Sequence, residues 1–269
     1  MSTLDVRELV EACASSSFWR RETAQRLLIE RGDVAPVPHL RKLLARETSS
    51  PTSTLIITLH TLEALGALSG EDLRPFVSHE AAAVRVHALQ LADRRFARGS
   101  DHALLDATLL AAAAEKNLRV LLEFALSLGE TRDARAFASQ AEFARKHAAV
   151  RWMDAALLSS LQGRGADMLA ELLRETRGGR ARLEPLAKSI AARKDEAELA
   201  RTIALVHPAP LADQAALLGA LAKGLGNTSG KTLARRCRCR CSQHRVDLCL
   251  NRGVHLEHLR PAAGVAFAG

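Results

Sequence analysis

The sequence predicts an all-α protein made by stacking antiparallel helix pairs, and three observations predict it. First, hydrophobic residues make up 48% and charged residues 25% of the 269 positions, while aromatic residues contribute only 3%, with no Tyr. A β-sandwich or barrel draws on aromatic and β-branched side chains. The abundant Ala, Leu, Arg and Glu are instead strong helix formers. Second, segments of about a dozen residues with helical apolar spacing alternate with short breaks at Gly, Pro, Ser or Asp. Third, one pattern recurs along the chain about every 32 residues.

A short helix over 4–14 leads into Ser15-Ser16-Ser17, whose hydroxyls suit the N-cap of the next helix. Pairs are then predicted at 18–31 with 36–47, 52–66 with 71–78, and 82–95 with 101–115. Further pairs fall at 118–129 with 132–147, 150–162 with 165–176, and 181–193 with 195–206, and a last helix covers 210–225. Trp19-Arg20, Val84-Arg85, Leu118-Arg119 and Val150-Arg151 open first helices of pairs, and Ala181-Arg182 continues the series more weakly. Counted from each Arg, Ala or Leu stands at +4 and +7: Ala24 and Leu27, Leu89 and Ala92, Ala155 and Leu158, with Leu126 at +7 from Arg119. One pair cannot cover its own apolar face, so neighbours must stack to share a core. The fold class expected is therefore a HEAT-like α-solenoid of about six repeats over 1–226. An irregular helical bundle is the plain alternative.

Past residue 226 the character changes. Gly224-Leu-Gly-Asn-Thr-Ser-Gly230 breaks the helix, and Arg235-Arg-Cys-Arg-Cys-Arg-Cys241 is of low complexity. Residues 227–269 read as a basic, Cys/Arg-rich, poorly ordered tail. The formal charge of +8 belongs mostly to it: residues 231–269 hold eight Lys or Arg against Asp247 and Glu257, leaving 30 basic and 28 acidic side chains in 1–230. So even a balance gives the body little to offer a phosphate backbone, and no nucleic-acid partner is expected.

The stretch from Phe18-Trp-Arg-Arg-Glu-Thr-Ala-Gln-Arg-Leu-Leu-Ile-Glu-Arg-Gly-Asp33 is more specific than the general repeat pattern. It resembles the start of the HEAT-repeat region in large planctomycete and verrucomicrobial proteins identified as membrane-bound dehydrogenases or haem-binding (C-x-x-C-H) proteins. Leu62-Glu-Ala-Leu-Gly66, Ala125-Leu-Ser-Leu-Gly-Glu130 and Ala156-Leu-Leu-Ser-Ser-Leu161 are similar to the same region, so the resemblance spans roughly 3–225. It implies a scaffold that lies, in such proteins, between a sugar-dehydrogenase-like propeller and a cytochrome c module that carry the redox chemistry. It also implies a periplasmic setting if the chain belongs to such a protein; otherwise a cytoplasmic one is expected, since no basic-then-apolar leader or spanning segment is visible. Cys241-Ser-Gln-His244 lacks the spacing needed for haem attachment. The Arg-Cys alternation is foreign to the end of such a repeat region, and reads either as a native tail or as a frameshift or gene-fragment end.

No catalytic, cofactor-binding or metal-binding residue is assigned, and no cofactor is expected. Gly226-Asn-Thr-Ser-Gly-Lys-Thr232 looks like a phosphate-binding loop, but Leu225 stands where its first Gly belongs and a helix, not a strand, is expected before it. Cys237, Cys239, Cys241, His244 and Cys249 offer soft ligands at a spacing unusual for zinc. The ten His lack a metalloprotease arrangement; His60 and His87 read as satisfied polar residues, and Cys13 as a buried apolar one. Trp19 and Trp152, at repeat starts, are expected in the core. Trp152-Met-Asp154 invites comparison with HEAT-like DNA glycosylases, which need a basic groove that this body lacks. Arg20-Arg-Glu and Glu30-Arg31 read as solvated helix faces. The function expected is a non-catalytic scaffold that binds a protein partner or adjacent domains; the alternative is part of the periplasmic dehydrogenase/cytochrome c protein without its propeller and haem domains.

Overall fold

In the computed structural model, the residues described are 1–226 apart from 2, 47–49, 100, 148–149, 151, 162 and 175–181. Among them are fourteen α-helices and no strand. They are α1 (Val6–Ala12), α2 (Phe18–Arg31), α3 (Val37–Leu44), α4 (Thr52–Ala64), α5 (Gly70–Leu73), α6 (Ala82–Arg98) and α7 (His102–Ala114). They continue as α8 (Leu118–Ser127), α9 (Ala134–Lys146), α10 (Met153–Ser160), α11 (Gly165–Leu173), α12 (Leu183–Arg193), α13 (Glu196–Val206) and α14 (Leu211–Leu225). The predicted tail over 227–269 lies outside the described residues, as do Arg151 and Ala181.

Local chemistry sets the helix ends. Asp5 accepts from the Glu8 N–H while Glu8 reaches back to the Asp5 N–H, 2.8 Å each way, so two of the donors left over at a helix start are satisfied together. Ser69 and Asp72 repeat the device on α5. Asp101, Asn117 and Asp195 cap α7, α8 and α13 singly. Gly99 stops α6 at φ 68°, a left-handed conformation that costs glycine little. The helix expected over 71–78 is cut short by Pro75, which has no N–H to continue the ladder; a single 3-10 turn, Phe76–Ser78, comes after it. The helix expected from 150 starts only at Met153, after a left-handed Trp152 (φ 71°).

The chain divides into two compact units, Met1–Gln140 and Ala141 onward. In the first, α2 packs on α4, α4 on α6 and α6 on α8, while α1 meets α3 and α5 meets α7. Sequential contacts (α1 with α2, α3 with α4, α5 with α6) join these two sets. The second unit has the same grammar: α10 meets α12, α12 meets α14, α11 meets α13, and α11 to α14 touch in sequence. Helices in both units thus pack on the next but one, and several also on the next. Completely buried Leu28, Leu59, Leu62, Leu89, Leu104 and Phe124 fill the first core; Leu169, Ala187, Leu217 and Leu221 anchor the second.

Most of the polar ties between distant parts of the chain join residues 26 to 38 apart. In the first unit Arg41 reaches Asp72 (31 residues), Arg85 reaches Glu115 (30), Arg95 reaches Glu63 (32) and Gln90 reaches Glu123 (33). In the second, the Gly165 N–H donates to Glu198 (33), Arg201 to Asp167 (34) and Arg193 to the Leu158 carbonyl (35).

The same bonds correct the predicted repeat register. Arg85 donates to the carbonyls of His79 and Glu80, six and five residues earlier. Arg21, not Arg20, does the same to Ser15 and Ser16. Measured from these two arginines, Ala24 and Leu28 match Ala88 and Ala92 at +3 and +7, and all four are fully buried. Leu27 and Leu158, expected inside, are only half-buried; Ala155 and Leu126 are exposed. Trp19 and Trp152 are not in the core either: they are 68% and 63% exposed. Trp19 lies on the first turn of α2 away from the buried Ala24–Leu28 stripe, and the left-handed backbone at Trp152 places it ahead of α10 rather than within it.

Candidate functional site

The densest gathering of perturbed titratable groups in the first unit runs along α4, α6 and α8. Residues three or four apart share a helix face, so His60 and Glu63 on α4, and His87, Gln90 and Arg94 on α6, line up in facing rows. His60 Nε2 and His87 Nδ1 stand 3.1 Å apart, with the rings edge-on at 84°. Burial lowers the basicity of both rings; His60 and Arg119 add to the effect on His87, and Glu63 opposes it at His60. The two histidines are polar residues satisfied by each other. One turn on, Glu63 pairs with Arg94 (3.3 Å) and Arg95 (3.4 Å), and Arg95 also donates to the Leu68 carbonyl.

Toward α8 the strip becomes acidic. The Gln90 amide donates to Glu123 at 3.2 Å. Burial raises the Glu123 pKa against the pull of Gln90 and Arg119. Asp93 is pushed up to about 7, chiefly by burial, with Glu123 and Glu130 adding repulsion and the nearby Ser127 hydroxyl working the other way. Asp93 Oδ1 and Ser127 Oγ are both shut off from solvent, and neither meets a partner in hydrogen-bond geometry, so Ser127 offsets little.

A raised carboxyl pKa means that the folded state binds more protons than the unfolded one, so stability falls as pH climbs from 3.8 through about 7. Asp93→Asn removes the charge and keeps the shape. It is expected to stabilise the chain by about 2 kcal/mol at pH 8 and by much less at pH 4, as urea unfolding at the two pH values would register. An equal effect at both would show that the carboxyl is not held neutral.

Elsewhere the candidate residues are dispersed. Cys13 is fully buried and its thiol is pushed up to about 12, first by burial and then by Glu22, which fits a small apolar core group. Asp154 is tied to Arg182, itself buried and also donating to the carbonyls of Ala144 and His147, while Trp152 is turned outward. Trp152 and Asp154 therefore do not form one pocket. Glu30 pairs with Arg26 at 3.0 Å on an exposed face. An open groove of about 390 Å³ runs along α2 beside Glu22, Gln25, Arg26 and Ile29. The phosphate-loop look-alike begins at Gly226, directly after the helical α14; its remaining residues, and Cys237, Cys239, Cys241, His244 and Cys249, lie outside the described residues. Among the described residues no group of three or more His, Cys, Asp or Glu side chains is placed to hold a metal ion, and no helix is long and apolar enough to cross a membrane.

Sequence reasoning marked Arg85 as a helix opener but missed its buried partner, Glu115. Arg85 and Glu115 are almost enclosed, with side chains 14% and 7% exposed. Arg85 holds two backbone carbonyls with Nη1 and grips Glu115 with Nε (2.8 Å) and Nη2 (3.1 Å). Burial works against the Glu115 charge, but the N–H groups of Asn117 and Lys116 and the Arg85 fork hold its carboxyl below the usual range. The available signal was an Arg at a helix start with a Glu 30 residues later.

Compared with known proteins, the chain matches no family profile and no curated relative.

Proposed function

We propose that this chain is a non-catalytic scaffold, a HEAT-like α-solenoid whose extended surface binds a protein partner or docks neighbouring domains. The observation that carries this reading is that polar ties in both units recur between residues about 30 to 34 apart, close to the length of one helix pair. Stacked pairs contact only their neighbours, and the stack offers a long surface instead of a closed pocket. The Phe18–Asp33 stretch supports the same reading through its resemblance to the repeat region of the dehydrogenase-like proteins. In a longer protein of that kind the surface would dock the propeller and cytochrome c domains.

The second helices of the pairs supply the binding surface. Leu110 on α7 lies on that set with its side chain 77% exposed, so position 110 can report on a partner seated there. A photoreactive residue at position 110 is expected to yield a discrete protein adduct when irradiated in cells that make the chain natively. Adducts to nucleic acid, or turnover of a small molecule by the purified chain, would contradict the proposal.

A further inference from the structure

Acid–base chemistry at the α4–α6 junction has a structural consequence. His60 and His87 face each other from successive first helices, half-buried, through one nitrogen each. While both rings are neutral, one N–H donates to the other ring's lone pair. Adding one proton preserves the contact, because an imidazolium still donates to a neutral imidazole. A second proton leaves two donors and two positive charges 3.1 Å apart with no acceptor between them. We propose that this pair is a proton-sensitive joint between adjacent helix pairs, closed when at most one ring is protonated and opened when both are.

The surroundings fit that role. Glu63, on α4, favours a proton on His60, while Arg119, from α8, disfavours one on His87, so the second proton is the difficult one. From α2 the uncharged Gln25 amide approaches the Ile57 carbonyl on α4, and on α3 and α5 Arg41 and Asp72 are paired with each other. Further along α6, Arg94 and Arg95 are already engaged by Glu63, and Asp93 interacts with Ser127, Glu123 and Glu130 on the α8 side. The Glu63–Arg94–Arg95 cluster can stay closed while the histidine end parts, which makes it the pivot. For the sign, both folded-state pKa values lie below 6.5, so the folded chain binds fewer protons than the unfolded one. The joint's contribution is therefore complete above pH 6.5 and is lost as pH falls through the lowered values.

Hydrogen exchange on the full chain tests this, with rates corrected for the intrinsic effect of pH. Amides of 57–64 and 84–91 are expected to lose protection at least tenfold between pH 7 and pH 4.5, while those of 186–191 in α12 lose far less. In His87→Asn, which cannot take up a proton, the selective loss is expected to vanish. Equal loss in both segments, or the same selective loss in the variant, would overturn the proposal. Imidazole ¹⁵N shifts in the unaltered chain provide a second reading that needs no variant. The two rings are expected to titrate as a coupled pair below 6.5; independent titration of each near 6.5 would refute the joint.

Discussion

Replacing Arg85 by Ala is expected to destabilise the chain by about 3–4 kcal/mol at pH 7, because a buried carboxylate would lose its counter-ion while staying buried. Three groups lose partners at once: Glu115, and the carbonyls of His79 and Glu80. These groups join the start of α6 to the α7–α8 connection, so the damage falls on the contact between successive pairs. Exposed ion pairs such as Arg26–Glu30 offer a contrast: their loss is worth well under about 1 kcal/mol, since water replaces the partner. The pH dependence comes from Glu115, whose folded-state pKa lies below 4.5. Its stabilising share is present above 4.5 and disappears as pH falls below that value. The gap between Arg85→Ala and the unaltered chain should therefore narrow in acid. A loss below about 1 kcal/mol by urea unfolding at pH 7 would mean that the pair is solvated after all.

The second large effect is expected at Gly224 on α14. A Cβ there would overlap the Lys188 carbonyl oxygen and lie 2.8 Å from the Ala191 Cβ, both on α12. A backbone carbonyl cannot rotate aside, so α14 would have to shift off α12. Glycine-to-alanine changes inside helices normally gain up to about 1 kcal/mol. Here the overlap is expected to reverse the sign and cost about 2–3 kcal/mol. A Cβ at Gly219, on the same helix, would meet nothing within 4 Å, so Gly219→Ala is expected to stabilise. Thermal melts of the two variants side by side should move in opposite directions. Movement in the same direction would show that α14 is not pressed against α12 through Gly224.

Helical class and element order were readable because both depend on local signals: helix-forming residues, apolar spacing and breakers. Most boundaries came within three residues for the same reason. The register of the repeat was not readable. Arg20 and Arg21 are adjacent, and what distinguishes Arg21 is a pair of backbone carbonyls, at Ser15 and Ser16, that no residue type announces. A one-residue slip then moved Leu27 into the expected core in place of Leu28. Pro75 was a legible stop for α5 that the apolar spacing masked. The outward turn of Trp152 comes from a left-handed backbone that is rare outside glycine and has no sequence signature.

The titratable strip was illegible for a related reason. His60 with His87, and Asp93 with Ser127, come together only when α4 is placed against α6 and α6 against α8. Each residue taken alone reads as an ordinary polar position. The raised Asp93 and lowered His60 and His87 arise from burial across that junction, which a linear pattern does not encode.

The proposed solenoid requires successive helix pairs to be equivalent, stacked units. Urea unfolding of a chain beginning at residue 50, without α1 to α3, tests it most directly. Stacked pairs are expected to leave the remainder folded and cooperative, with stability and denaturant sensitivity reduced by roughly one unit's share. Loss of cooperative unfolding across the whole remainder would mean that the helices share one indivisible core, and would contradict the scaffold account.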